Sequence, residues 1–291
     1  MLSEFLQFMM SGLTVGAVYA LVALGFTIIY NASDVVNFSQ GEFVMLGGMV
    51  TVFGTAAGLP LPLAALAAIL VAIAVGLLLH RLAIEPARGA SPVVLIIITI
   101  GGAFVIRGVA QIVFDKQLHR LPGFSGEGPI NFLGASILPQ TFWVIGGAAV
   151  IVLLVTLFFE RTMIGKAVLA TASNRLAAKL VGINTAMIMA LSFALSAAIG
   201  AVAGLLVTPI TLTSYDVGTM LALKGFAAVV LGGLGSPAGA VAGGLILGLC
   251  EAFSAGYLSS TYKDAVAFLV MIGTLLVLPN GLFGTASAER V

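Results

Sequence analysis

Residues 61–80 read LPLAALAAILVAIAVGLLLH, an apolar run with no Asp, Glu, Lys or Arg in it. A helix needs about 20 such residues to cross a hydrocarbon core of roughly 30 Å. Inside lipid every backbone polar group must be satisfied within the segment, which leaves the α-helix as the way to span with a single stretch. Working outward, further mostly apolar runs cover 8–30, 41–57, 92–114, 141–159, 186–208, 219–234, 239–257 and 264–279. The runs at 41–57 and 219–234 are short and glycine-rich, and either reads equally as a re-entrant or broken helix. The expected fold class is therefore an all-α integral membrane protein. It is a polytopic bundle of eight or nine membrane helices that includes short or broken segments, and residues 1–291 form a single transmembrane domain.

Composition agrees. Of the 291 residues 60% are hydrophobic and 8% charged, with a mean hydropathy of +1.20. A soluble domain carries about 25% charged residues, so lipid must solvate most of this exterior. A formal charge of +1 lacks the basic face of a nucleic-acid binder, and no nucleic-acid partner is expected. The 36 glycines suit helices that pack through small residues. Gly12 and Gly16, Gly200 and Gly204, Gly235, Gly239 and Gly243, and Gly244 and Gly248 each share one helical face. This spacing reads as close packing generally and not as a specific dimer.

Chemistry-bearing residues are scarce. Cys250 stands alone, so no internal disulfide is expected, and His80 and His119 lie far apart near segment ends. No catalytic residue, bound cofactor or metal site is expected. Glu4 precedes the first apolar run where a cleavable signal peptide would carry Lys or Arg, so the first helix reads as retained. No Gly-x-x-x-x-Gly-Lys-Ser/Thr phosphate loop occurs, which places any energy source on another chain or in an ion gradient. Val44-Met45-Leu46-Gly47-Gly48 is echoed by Val229-Val230-Leu231-Gly232-Gly233, a faint sign of the repeats common in transporters.

Lys and Arg in short loops set orientation. Arg161, Lys166, Arg175 and Lys179 make 161–179 the densest cationic region, which is expected in the cytoplasm. Parity then puts loop 80–91, with Arg81 and Arg88, on the same side. It puts 115–140 outside despite Lys116 and Arg120, the N-terminus outside, and the C-terminus with Arg290 inside.

The segment from Glu160 to Asn184 is the most informative loop. No proline or glycine interrupts Lys166 to Val181, alanine favours helix, and Gly182 is placed to close the helix in a left-handed conformation. The spacing predicts one amphipathic helix, with Val168, Leu169, Ala172, Leu176 and Leu180 recurring on one side. It reads either as an interfacial helix resting on headgroups or as a docking helix for a groove on a soluble partner. Its alanine-rich face buries little area, which favours the groove.

Four ionisable residues fall in or at the ends of apolar runs, where they are expensive and face the bundle interior or an aqueous path: Glu42, Arg107, Lys224 and Glu251. Asn37, Ser39, Gly41 and Glu42 form a break where a helix starts inside the membrane. With Arg107 they are candidates for a translocation pathway or hinge, or alternatively for structural caps and ion partners. Arg107 is expected to be held by a carboxylate or by backbone carbonyls. Lys224 and Glu251 are candidates for a pair that spacing does not fix. Thr208, Thr211 and Thr213 line a solute path or satisfy backbone carbonyls.

The pattern Gly165-x4-Ala170-x3-Asn174-x3-Ala178-x3-Gly182-Ile183-Asn184 resembles the coupling segment of binding-protein-dependent ABC permeases. It is most similar to LivH-type permeases of the high-affinity branched-chain amino-acid ABC transporter family. The likeness extends in order through Tyr19-Ala20-Leu21-x-Ala23-Leu24-Gly25, Asn37-Phe38-Ser39-Gln40-Gly41-Glu42-Phe43-Val44-Met45, Arg81-Leu82-Ala83-Ile84-Glu85-Pro86-Ala87-Arg88 and Gly225-Phe226-Ala227-Ala228-Val229-Val230-Leu231-Gly232-Gly233-Leu234-Gly235-Ser236. The resemblance implies a multi-pass subunit of the bacterial inner membrane that moves branched-chain or related amino acids by alternating access. It implies a second related permease subunit, two cytoplasmic ATPase subunits holding ATP and Mg, and an extracytoplasmic solute-binding protein. It assigns ATPase coupling to 165–182, with Gly165, Lys166, Ala170, Asn174, Arg175, Ala178 and Gly182. Relatives moving urea or short amides share these blocks. An ion-coupled secondary transporter or an intramembrane enzyme is the rival on residues alone, and acidic residues or histidines in the spans are few for either.

Overall fold

A computed structural model describes residues 2–87, 89–132 and 134–284; Arg88 and Arg290 lie outside these described residues. The helices follow the apolar runs. They are α1 (Leu2–Ser33), α2 (Gln40–Ala56), α3 (Leu61–Leu79), α4 (Pro92–Phe114), α5 (Pro139–Arg161), α6 (Met163–Ser173), α7 (Arg175–Leu180), α8 (Thr185–Thr211), α9 (Val217–Gly232), α10 (Pro237–Tyr257) and α11 (Lys263–Val277). Among the described residues seven helical stretches are long and apolar enough to cross a membrane, and the shorter α2 and α9 lie between them. The seven are α1, α3 with its π-helical extension His80–Ile84, α4, α5, α8, α10, and α11 with the short 3-10 turn Ser260–Tyr262 before it. The bundle of eight or nine helices with short members is what the sequence predicts.

Proline opens α3, α4, α5 and α10 within the first turn. There its missing N–H is no loss and its fixed φ suits a helix start. The long loop between α4 and α5 folds into a hairpin, β1 (Ile130–Phe132) paired antiparallel with β2 (Ala135–Ile137), seated beside Ser3 at the start of α1. A backbone bridge from His119 to Thr213 ties this loop to the end of α8. Gln117 N–H and the His119 ring hold the exposed Asp115 carboxyl below its usual range. Arg120 is met by Glu127 at 3.0 Å. At the other end lie α6, α7, the His80–Ile84 turn and the chain after α11, whose Leu282 and Phe283 amides donate to Leu231 and Gly232.

α1 and α8 are the buried posts, and the outer faces of α3, α4, α5 and α11 are exposed apolar side chains. The glycine spacings have two uses. On α1 and α10, Gly12 and Gly16 face Leu249 and Leu245, while Gly248 and Gly244 face Gly16 and Ala20, so the two backbones touch along one seam. On α8, a methyl at Gly204 would run into the Val44 carbonyl, and one at Gly200 into Phe43. Both are contacts within one chain. Without a hydrophobic drive between helices in lipid, this backbone proximity supplies the dispersion contact that holds them.

Candidate functional site

The break before α2 lies deep. α1 closes at Asp34 in a left-handed conformation (φ +57°), and 35–39 run on unpaired by regular structure. Side chains satisfy that stretch, as backbone at membrane depth requires. Phe38 N–H donates to Thr99 Oγ1 at 3.2 Å, Ser39 N–H donates to Asn37 Oδ1 at 3.1 Å, and Ser39 Oγ donates to the Thr99 carbonyl at 2.6 Å. Gln40 Nε2 donates to the Ser196 carbonyl at 3.2 Å, and Ser196 Oγ lies 2.6 Å from Gln40 Oε1. Ser196 is 11 residues beyond Thr185, the first of α8, so α2 starts roughly 16 Å inside the bundle at about 1.5 Å per residue.

α9 begins in the same region. Gly41 and Gly218 lie backbone to backbone, and a Cβ on either would strike the other's carbonyl. The first turns of two short helices therefore face one another at depth, each presenting the partial positive charge of its N-terminus.

Beside them stands Arg107 of α4. Its Nη2 donates to Glu42 Oε1 at 2.5 Å; the Glu42 side chain is 1% exposed and that of Arg107 20%. The Phe104 ring lies 5.5 Å from the guanidinium. Glu42 Oε2 and Arg107 Nε have no hydrogen-bond partner among the described residues. Both groups border a cavity of about 250 Å³ between α2, α4 and α9. Of the sequence candidates, Glu42 and Arg107 come together here, whereas Asn37, Ser39 and Gly41 shape the break and do not line the cavity. Glu42 does not cap α2; it serves as the ion partner of Arg107.

Lys224 and Glu251 do pair, at 2.7 Å. Two members of that cluster escape sequence reasoning. Tyr19 Oη donates to Glu251 Oε2 at 2.7 Å, and Asp264 Oδ1 lies 2.6 Å from Lys224 Nζ. Tyr19 sits in a run without polar neighbours, so nothing local marks it, whereas Asp264 opens the run 264–279 and carries the same signal as Glu42. The threonines serve the backbone: Thr208 donates to the Gly204 carbonyl at 2.7 Å and Thr211 to that of Val207 at 3.3 Å. Among the described residues no group of His, Cys, Asp and Glu suited to a metal ion occurs.

The segment 165–182 departs from the single helix its composition predicts. Asn174 adopts φ −157°, ψ 102°, ending α6 and capping α7, with its Oδ1 accepting from Ala177 N–H at 2.9 Å. Asparagine competes locally with helix continuation by this bond, and alanine-rich neighbours do not outweigh it. Thr162 caps α6 the same way through Gly165 N–H at 2.9 Å. Gly182 has φ +90° as expected. Ile183 N–H bonds the Ala178 carbonyl and Gly182 N–H that of Lys179, a Schellman closure.

The break also redistributes the expected apolar side. Val168 is buried while Leu169, Leu176 and Leu180 are exposed, the last two by 70% and 81%. Met163 and Val181 extend this exposed apolar ledge. Lys166, Ala170, Asn174 and Arg175 are exposed alongside it, and Ala178 is buried beneath. Gly165 lies against the Phe158 carbonyl, where a side chain would not fit. The Asn174→Ala variant is expected to cost about 1 kcal/mol of local helix stability, read as faster hydrogen exchange at the Ala177 amide with the membrane helices unchanged.

Residues 8–275 match the family described as Branched-chain amino acid transport system / permease component. The chain is 36% identical to the high-affinity branched-chain amino acid transport system permease protein LivH of Escherichia coli K12, covering 99% of this chain and 98% of that protein. It is 34% identical to the corresponding protein BraD of Pseudomonas aeruginosa, with the same coverage. The solved structure of PsaBC from Streptococcus pneumoniae in complex with Fab shares the fold, with a TM-score of 0.52 at 15% identity over 97% of this chain and 98% of that one. With its long apolar helices the chain is a multi-pass protein of the bacterial inner membrane. It belongs to the family of branched-chain amino acid transport permease components, non-catalytic membrane subunits of ABC importers that work with separate ATPase and binding-protein chains.

Proposed function

We propose that this permease carries branched-chain or related amino acids inward, paired with a second related permease over two cytoplasmic ATPase subunits. ATP and Mg sit on those ATPases, and an extracytoplasmic binding protein delivers the solute. Branched-chain amino acids, and not urea or short amides, are the solutes in the names of LivH and BraD. The observation that carries the reading is the ledge: Leu176, Leu180 and Val181 stand exposed beside Lys166, Arg175 and Lys179 at one end of the bundle. Basic residues favour the cytoplasmic side, and an exposed apolar patch rimmed by polar residues marks a protein or membrane contact. The opposite end carries the hairpin loop, where Arg120 is offset by Glu127.

Alternating access then needs no catalytic group on this chain. Closure of the ATPase pair shifts the 165–182 ledge, and α5 and α8, joined directly to it, carry the shift inward. Radiolabelled L-leucine uptake into proteoliposomes holding the full assembly tests this. Uptake is expected to require internal ATP and to persist with a proton uncoupler. Uptake that survives without ATP and collapses with the uncoupler contradicts the reading.

A further inference from the structure

We propose that the cavity between α2, α4 and α9 is a transit station for one amino-acid zwitterion, with Glu42 receiving its ammonium group and Arg107 its carboxylate. This deepens the import reading and rests on it.

The chemistry of the cavity selects the ligand. Its walls are apolar side chains, chiefly Phe38, Ile100, Phe104 and Leu223, and its charged lining groups are Glu42 and Arg107. At about 250 Å³ it falls just below the ~300–1,000 Å³ range of pockets for drug-sized ligands, which suits a single small solute. Glu42 Oε2 has no partner although its side chain is 99% buried, and Arg107 Nε has none either. A buried polar atom without a partner costs free energy until something supplies one. Both atoms are themselves buried, so the Glu42–Arg107 pair parts as a zwitterion enters, and the zwitterion then supplies both: its ammonium donates to the carboxylate, and its carboxylate accepts from the guanidinium. It brings no net charge into the bundle, so the charge balance at depth is unchanged. A branched aliphatic side chain then rests against Ile100, Phe104 and Leu223. Binding here is necessarily weak, because the solute competes with the existing Glu42–Arg107 pair, and a transport station must release what it takes up.

The cavity opens on the face formed by α4 and α9, where Arg107 is 20% exposed. An ion pair at this depth does not face lipid. The companion permease closes the station, and the solute path runs along that seam.

The experiment uses the full assembly in proteoliposomes, reading binding-protein-stimulated ATP hydrolysis and uptake together. The double variant Glu42→Gln/Arg107→Met removes both charges and leaves no orphaned ion. The station predicts stimulated ATP hydrolysis near wild type with L-leucine uptake per ATP reduced about tenfold or more, the scale set by losing one specific solute contact. Unchanged uptake overturns the proposal, since the pair is then only a structural tie. Loss of ATP hydrolysis together with uptake also overturns it.

Ile100→Trp gives a second reading. It fills the chamber from its partly exposed rim and is expected to lower L-leucine uptake about tenfold relative to L-alanine, each normalised to wild type. Equal changes for both solutes count against the station. If the wild-type assembly itself moves no amino acid, the import reading fails, and that outcome is separate from a variant that transports normally.

Discussion

Lys224→Met is expected to remove most folded protein from the membrane. Lys224 is held between Glu251 at 2.7 Å and Asp264 at 2.6 Å, with its side chain 8% exposed. Breaking a buried pair by deleting one partner costs roughly 3–5 kcal/mol when a charge is left uncompensated, and Lys263, 47% exposed with its Nζ 4.0 Å from Glu251, offsets the loss only in part. That is a large share of a typical folding stability of about 5–15 kcal/mol. The two carboxylates differ in what they can do next. Asp264 is 38% exposed and can rehydrate, whereas Glu251 at 7% cannot. The double variant Lys224→Met/Glu251→Gln is therefore expected to recover most of the loss, with Tyr19 still bonded to the new amide. Yield after membrane extraction and thermal stability in detergent read both. Wild-type yield for Lys224→Met alone would show that the cluster does not hold α9, α10 and α11 together.

Leu176→Asp is expected to abolish solute uptake while leaving the chain inserted at normal abundance. Leu176 is 70% exposed, so a carboxylate there costs the isolated fold little. In a docked complex the same change buries an unpaired charge in an apolar contact. Central interface positions of this kind lose about 2 kcal/mol or more on truncation, roughly 30-fold in affinity at 1.4 kcal/mol per decade. Leu180→Asp, at 81% exposure, is expected to behave alike. Co-purification of the ATPase chains and binding-protein-stimulated ATP hydrolysis separate loss of docking from loss of folding. Normal uptake with either variant removes the ledge from the coupling path.

The spans were legible because lipid imposes a pattern that composition alone betrays: a run such as 61–80 has few alternatives. The start of α2 at Gln40 was legible as a break because Asn37, Ser39 and Gly41 interrupt an apolar stretch. Which charges meet was not legible. Arg107 and Glu42 are 65 residues apart and Tyr19 and Glu251 are 232 apart, and such distances are bridged by tertiary packing that no local spacing encodes. Asn174 failed for the opposite reason. Its signal is local, but a helix-length count over 166–181 averages it away, whereas one side-chain bond to Ala177 decides the geometry. The stretch 165–182 is largely a shape code. Gly165, Asn174, Ala178 and Gly182 set close approach, a corner, a buried contact and a stop, and the side chains that project outward lie between them.

α8 leaves Asn184 beside the ledge, and eleven residues beyond its first residue Ser196 is bonded to Gln40, with Gly200 and Gly204 flush against α2. Short of Pro209, α8 is an unbroken hydrogen-bonded helix, and over that length it behaves as a push-rod with little slack to absorb displacement. With no side chain between the rod and α2 at Gly200 and Gly204, a shove delivered at the membrane surface by the proposed coupling would pass to the discontinuity, tying the two ends of the molecule to one moving part.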